Sequence, residues 1–174
     1  MKRLVVCGLL WATATPIFAH RLDEYLQVAL ISIWKNRLRA KMYLTPGVAV
    51  YKQVIATIDG NADGTLSGSE QRRYAEKVRH DVSLSVDGAV LSLQLTSFKF
   101  PKVEEMKKGL GYIEINLDAA FPTARGSHRI VFENHHQSKF AAYQVNCLMP
   151  DDPSIHVTGQ IRNSNQSRYE LSYQ

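Results

Sequence analysis

At 174 residues, 45% of them hydrophobic and 21% charged, the chain is long enough for one domain with a proper core and too short for two with linkers. That balance excludes a disordered chain and a membrane bundle. The formal charge of +5 falls to +3 once Lys2 and Arg3, in a segment expected to be removed, are set aside (19 basic against 16 acidic), which is too weak to point to nucleic acid.

Residues 1–19, MKRLVVCGLLWATATPIFA, open on a short basic start, run apolar from Leu4 to Ala12 and close on small residues at Ala19. This is the layout of a secretory signal peptide. The run is shorter than the ~20 apolar residues of a membrane span, and Pro16 interrupts its end. A lipoprotein signal is disfavoured because Cys7 precedes most of the apolar run. Cleavage after Ala19 would make His20 the new N-terminus, send residues 20–174 to the periplasm or the extracellular space, and leave them without a transmembrane segment. Cys147 is then the one remaining cysteine, so no internal disulfide is expected. Its setting, QVNCLM, fits a small buried hydrophobe.

Two strands are expected at 24–34 and 38–44, joined by a turn near Lys35-Asn36-Arg37; Leu38, Ala40, Met42 and Leu44 alternate onto one face. Thr45-Pro46-Gly47 stops the second strand. The period then changes: Val48, Tyr51, Ile55 and Ile58 recur at helical spacing, and beyond residue 70 Tyr74 and Val78 mark a second amphipathic helix.

Between these helices lies DGNADGTLSGSE, Asp59 to Glu70, the most specific signal in the chain. A twelve-residue EF-hand loop needs oxygen ligands at positions 1, 3, 5, 7, 9 and 12 and a glycine at 6. Here those positions hold Asp59, Asn61, Asp63, Thr65 (through its carbonyl), Ser67 and Glu70, with Gly64 at the turn. Ser67 and Glu70 also form an S-x-x-E capping pattern for the second helix. Leu66 is the apolar residue that packs on a partner loop in paired EF-hands, but no second loop is visible, so the helices must lean on a sheet.

Past His80 the period returns to two. A hairpin of 82–88 and 89–100 is expected to turn at Asp87-Gly88. A loop or short helical excursion (101–111) follows, then strands at 112–121, 128–134, 140–149, 155–162 and 168–174, with a turn at PTARGS between the first two of these. Eight or nine short strands favour a mainly β, Ig-like sandwich, a single domain over 20–174 with the EF-hand inserted at 46–80.

The mature histidines are His20, His80, His128, His135, His136 and His156. An N-terminal His20 with one more histidine would suit copper or nickel. Adjacent His135 and His136 would face opposite ways on a strand, so at most one could join it; the competing reading is loop histidines bonded to backbone or solvent. Catalytic signatures such as G-x-S-x-G, H-E-x-x-H or a phosphate-cradling glycine loop do not occur, and Glu104-Glu105 fit a solvated face, so no enzyme is expected.

The phrases HRLDEYLQ and LTPGVAV, the loop itself and FENHHQSKFAAYQVNCLMP together resemble the extracytoplasmic N-terminal region of some bacterial HupE/UreJ-type membrane proteins and their stand-alone relatives. The resemblance covers nearly all of 20–174. It implies an exported domain with a membrane protein as partner; the family's loose link to nickel or other metals supplies no ligand set for these positions. The expected activity is calcium binding, with Ca2+ chiefly a structural ion in an interaction module.

Overall fold

The computed structural model describes residues 23–122 and 126–174. The expected signal segment, Cys7, His20 and the middle of the PTARGS turn lie outside the described residues.

Ten strands among the described residues form two five-stranded sheets, the mainly β sandwich that the alternating segments predict. β1 (Tyr25–Trp34) and β2 (Arg37–Pro46) pair antiparallel in unbroken register from Tyr25 opposite Pro46 to Trp34 opposite Arg37. Every second residue of β2 from Leu38 to Leu44 is fully buried, because period-two alternation puts one face of a strand against the core. Sheet one runs β5 (Gln94–Lys99), β6 (Ile113–Ala120), β2, β1, β8 (Ala141–Cys147), and sheet two β4 (Ala89–Val90), β3 (Val82–Val86), β7 (His128–Asn134), β10 (Arg168–Tyr173), β9 (Val157–Arg162). β8 joins β1 in parallel; the remaining pairings are antiparallel. The inward faces of both sheets share one apolar cluster, which includes Ile31, Leu38, Ile115 and Leu117 of sheet one and Leu84, Phe132 and Leu171 of sheet two.

The hairpin expected over 82–100 forms only at its turn. Asp87 and Gly88 both take positive φ (51° and 85°), as a tight hairpin requires. Beyond Ala89–Val90 (β4), however, the chain leaves β3 (Val82–Val86), buries Leu93, and enters the other sheet as β5 (Gln94–Lys99) beside β6 (Ile113–Ala120). Alternation in the sequence is the same whichever sheet a strand joins, so the crossover was not visible there.

The connection from β2 in sheet one to β3 in sheet two is a helix-loop-helix. α1 spans Tyr51–Ile58 and α2 spans Gly68–Asp81. α1 starts three residues later than its apolar spacing predicts: Val48 sits in a turn, 46% exposed, while Val54 and Ile58 are the helix's fully buried residues. α2 buries Tyr74, Ala75 and Val78 and lies along β5, with the Arg72 guanidinium 5.5 Å from the Phe98 ring centroid. Its C-cap is Val82, the first residue of β3, so α2 enters sheet two without a loop. A short helix, α3 (Val103–Lys107), occupies the expected excursion and presses buried Met106 beneath α1 and β2. Glu104 and Glu105 are exposed on it.

Candidate functional site

Five of the six predicted ligand residues, Asp59 to Ser67, fall on the one loop between α1 and α2, and the sixth, Glu70, stands in the first turn of α2. The backbone bends there through two positive-φ residues, Ala62 (59°) and Gly64 (79°). Gly64 meets the conformational demand at little cost, whereas a side chain in this region costs about 1–2 kcal/mol.

The loop's carboxylates are turned toward its own donors. Asp59 accepts from the backbone N–H of Asp63 at 3.2 Å and of Gly64 at 2.9 Å, one on each oxygen. Asn61 accepts from Asp63 N–H at 3.1 Å and donates its amide to Asp63 Oδ2 at 2.8 Å. Asp63 Oδ1 accepts from both the backbone N–H and the hydroxyl of Thr65, at 2.8 and 2.7 Å. These bonds, the Thr65 hydroxyl's first, hold the Asp63 carboxyl below its ordinary range.

Glu70 stands in the first turn of α2, 5% exposed, in the capping box that Ser67 and its spacing predict. Its Oε2 accepts from the Ser67 hydroxyl at 2.7 Å and the Ser67 N–H at 3.0 Å, while Oε1 accepts from Gly60 N–H at 2.8 Å. Hydrogen bonds from Ser67 and Gly60 keep it ionised to lower pH than usual. The Gly60 bond also ties the start of the loop to its end. Leu66 is half-buried and packs on the main core, so the loop leans on its own sandwich where a paired EF-hand would lean on a second loop.

The donor set is entirely oxygen and carries three formal negative charges, the chemistry a hard cation such as calcium requires. Among the described residues, no three His, Cys, Asp or Glu side chains stand close enough to hold a metal as they are placed. The physical reason lies in the bonds above. Each carboxylate faces an amide or hydroxyl, and Glu70 would have to share its oxygens between the cation and the cap.

The histidine pair lies just beyond β7, off the strand, so the alternation expected to set the two on opposite faces does not apply to it; one histidine is exposed and the other buried. His135 is exposed. His136 is fully buried and uses both ring nitrogens: Nδ1 lies 2.7 Å from Asp81 Oδ2 and Nε2 lies 2.8 Å from the Tyr74 hydroxyl. Both ring nitrogens of His136 are therefore already engaged within the protein. Cys147 is a free thiol, half-buried and so less enclosed than the small buried hydrophobe expected of it, and burial pushes its pKa up to about 11.

A second polar constellation, unread in the sequence, surrounds His136. The Tyr74 hydroxyl meets the Tyr25 hydroxyl at 2.7 Å, and both tyrosines are at most 1% exposed. The His136 carbonyl accepts from the Gln27 amide at 2.9 Å and the Tyr143 hydroxyl at 3.0 Å. Asn134 donates to Gln27 and accepts from the His136 N–H, each at 2.9 Å. Asp81, the last residue of α2, also accepts from Lys77 at 3.1 Å. Burial would raise the Asp81 carboxyl, but the bonds from His136 and Lys77 outweigh it and hold it below its usual value. Acid, imidazole and hydroxyl follow one another as in a hydrolase triad. Both hydroxyls lie in the core, and the network clamps together α2, β1, β8 and the segment after β7 (His128–Asn134). One sequence signal pointed to it: Gln27, a polar residue on the inward face of an otherwise apolar strand.

No protein-family model matches the chain, and no curated protein matches it in sequence. Among the described residues no helix is long and apolar enough to cross a membrane.

Proposed function

We propose that the loop Asp59–Glu70 binds one calcium ion, chiefly as a structural clip, in an exported interaction module that serves a membrane protein. The observation that carries this reading is the coincidence of six oxygen-bearing ligand positions with a loop strung between two helices that are both docked in the core. Asp59, Asp63 and Glu70 would supply charge; Asn61, Ser67 and the Thr65 carbonyl would complete the shell. The ion itself contributes charge neutralisation. The protein's part is to present the oxygens on a bend fixed by Gly64 and to anchor both flanking helices through Val54, Ile58, Tyr74 and Val78.

The capping box bears on affinity. Glu70 already satisfies Ser67 and Gly60 N–H groups, so ligation competes with bonds the loop makes by itself. Modest affinity follows, in the range of about 10⁻⁴ to 10⁻³ M found for extracellular modules, enough where calcium is plentiful. We read the domain as a binding module and not as an enzyme. Export and the membrane partner rest on the layout of residues 1–19 and on the sequence phrases shared with HupE/UreJ-type proteins.

Calorimetric titration of the exported protein with calcium tests the reading. One site is expected in the wild type, none in Asp59→Ala, and a much weaker one in Glu70→Gln. A wild-type melting temperature that does not move between chelator and millimolar calcium would refute it.

A further inference from the structure

We propose that the chain Asp81–His136–Tyr74–Tyr25 is a proton-operated latch that fastens α2 to the sandwich and releases it on acidification. The direction of its hydrogen bonds carries the inference. With Asp81 ionised and His136 neutral, Nδ1–H donates to Asp81, Nε2 accepts from Tyr74, and the Tyr74 oxygen accepts from Tyr25. Each donor then has an acceptor.

A proton added at Nε2 turns the only acceptor at that end of the chain into a donor. Tyr74 must then accept from the ring. Its own hydroxyl proton either has nowhere to go or passes to the Tyr25 oxygen, which leaves the Tyr25 proton without an acceptor. Among the described residues no other group meets either hydroxyl. One orphaned donor in a dry core results in either case, and such groups are costly. The orphan disappears if α2, which carries Tyr74 and Asp81, lifts away and admits water.

The charges around the ring point the same way. From α2 it faces Asp81, Lys77 and Tyr74; from β1, Tyr25; from β8, Tyr143, whose hydroxyl is bonded to the His136 carbonyl. The single carboxylate in this set is already shared with Lys77. Burial lowers the His136 pKa more than Asp81 raises it, and Lys77 lowers it further. The unfolded chain, titrating near pH 6.5, therefore takes up the proton before the folded one, so this group's stabilisation is complete above that value and is lost as pH falls below it.

The test uses the exported protein in chelator, so that the calcium loop contributes nothing. Imidazole ¹⁵N shifts report the state of His136, and amide exchange, corrected for its intrinsic pH dependence, reports the opening of α2 with β2 as internal reference. Between pH 7.5 and 5, protection over Tyr74–Asp81 should fall about tenfold relative to β2, with the same midpoint as His136 protonation. In His136→Gln the fall should vanish. Should that variant not fold, coincidence of the two wild-type midpoints decides. Constant α2 protection, equal losses in α2 and β2, or opening of α2 while His136 stays neutral would each overturn the latch.

Discussion

Helix α2 begins in one polar site and ends in another, and the two are built on opposite principles. At its start the Asp59–Glu70 loop is exposed, and its side-chain bonds join residues two to five apart, with only the Gly60–Glu70 closure reaching ten. Toward its end the His136 network is buried, and its bonds join residues 49, 55, 62 and 109 apart. Water can replace the bonds among Asp59, Asn61, Asp63 and Thr65 in the first; it does not reach the Tyr25–Tyr74–His136 bonds in the second. The loop should therefore be the place where ligand chemistry is decided, and the network the place where the domain's stability is at risk.

The largest expected effect follows from that asymmetry. His136→Ala should remove about 3–5 kcal/mol, because it strands the Tyr74 hydroxyl and leaves a cavity among α2, β1 and β8. For a domain of this size that is a fall in melting temperature of roughly 6–20 °C, measurable by calorimetry. A loss under about 1 kcal/mol would show that the buried network is no clamp. Next in size is the ligand effect: calcium at a hundredfold excess over its dissociation constant should add about 2.7 kcal/mol to the wild type and nothing to Asp59→Ala, read from urea midpoints. Smaller again is the cap. Ser67→Ala should cost about 1 kcal/mol in chelator, where only the helix N-terminus is affected, and the same change should also weaken calcium binding. If Ser67→Ala were silent in chelator, the capping box would contribute nothing apart from the cation.

The same contrast explains what could be read from the residues alone. The sandwich, the position of the helix pair, the Asp87-Gly88 turn and the capping box rest on local patterns: period two, period 3.6, a two-residue turn and a three-residue offset. The break of the 89–100 arm between two sheets has no local mark. Tyr74 looked like an ordinary apolar helix residue, since nothing near it in sequence shows that its hydroxyl will meet residues 25 and 136. The pairing of β1 with β8 in parallel is what brings Tyr25 and Gln27 to Phe140 and Tyr143, and so to His136. Parallel pairing over more than a hundred residues leaves no trace in alternation.

The smallest predicted effect asks whether the two ends of α2 communicate, and it depends on both the calcium reading and the latch. Asp63 and Glu70 are held below the ordinary carboxylate range, by Thr65 and by Ser67 first among their partners. The stabilisation these two provide is thus present above about pH 4 and lost only below it, so direct competition between protons and calcium at these carboxylates is weak between pH 7.5 and 5. His136 takes up its proton only below the ordinary imidazole range, because burial lowers its pKa more than Asp81 raises it. Tyr74 lies one helical turn from Glu70, so an α2 that loosens at Tyr74 places the twelfth ligand less well. Calcium affinity should then fall about threefold from pH 7.5 to 5, under 1 kcal/mol, and should not fall in His136→Gln. An equal fall in both proteins would locate the titration in the loop itself and separate the two sites. No fall in either would make α2 a rigid strut that holds both ends and passes nothing between them.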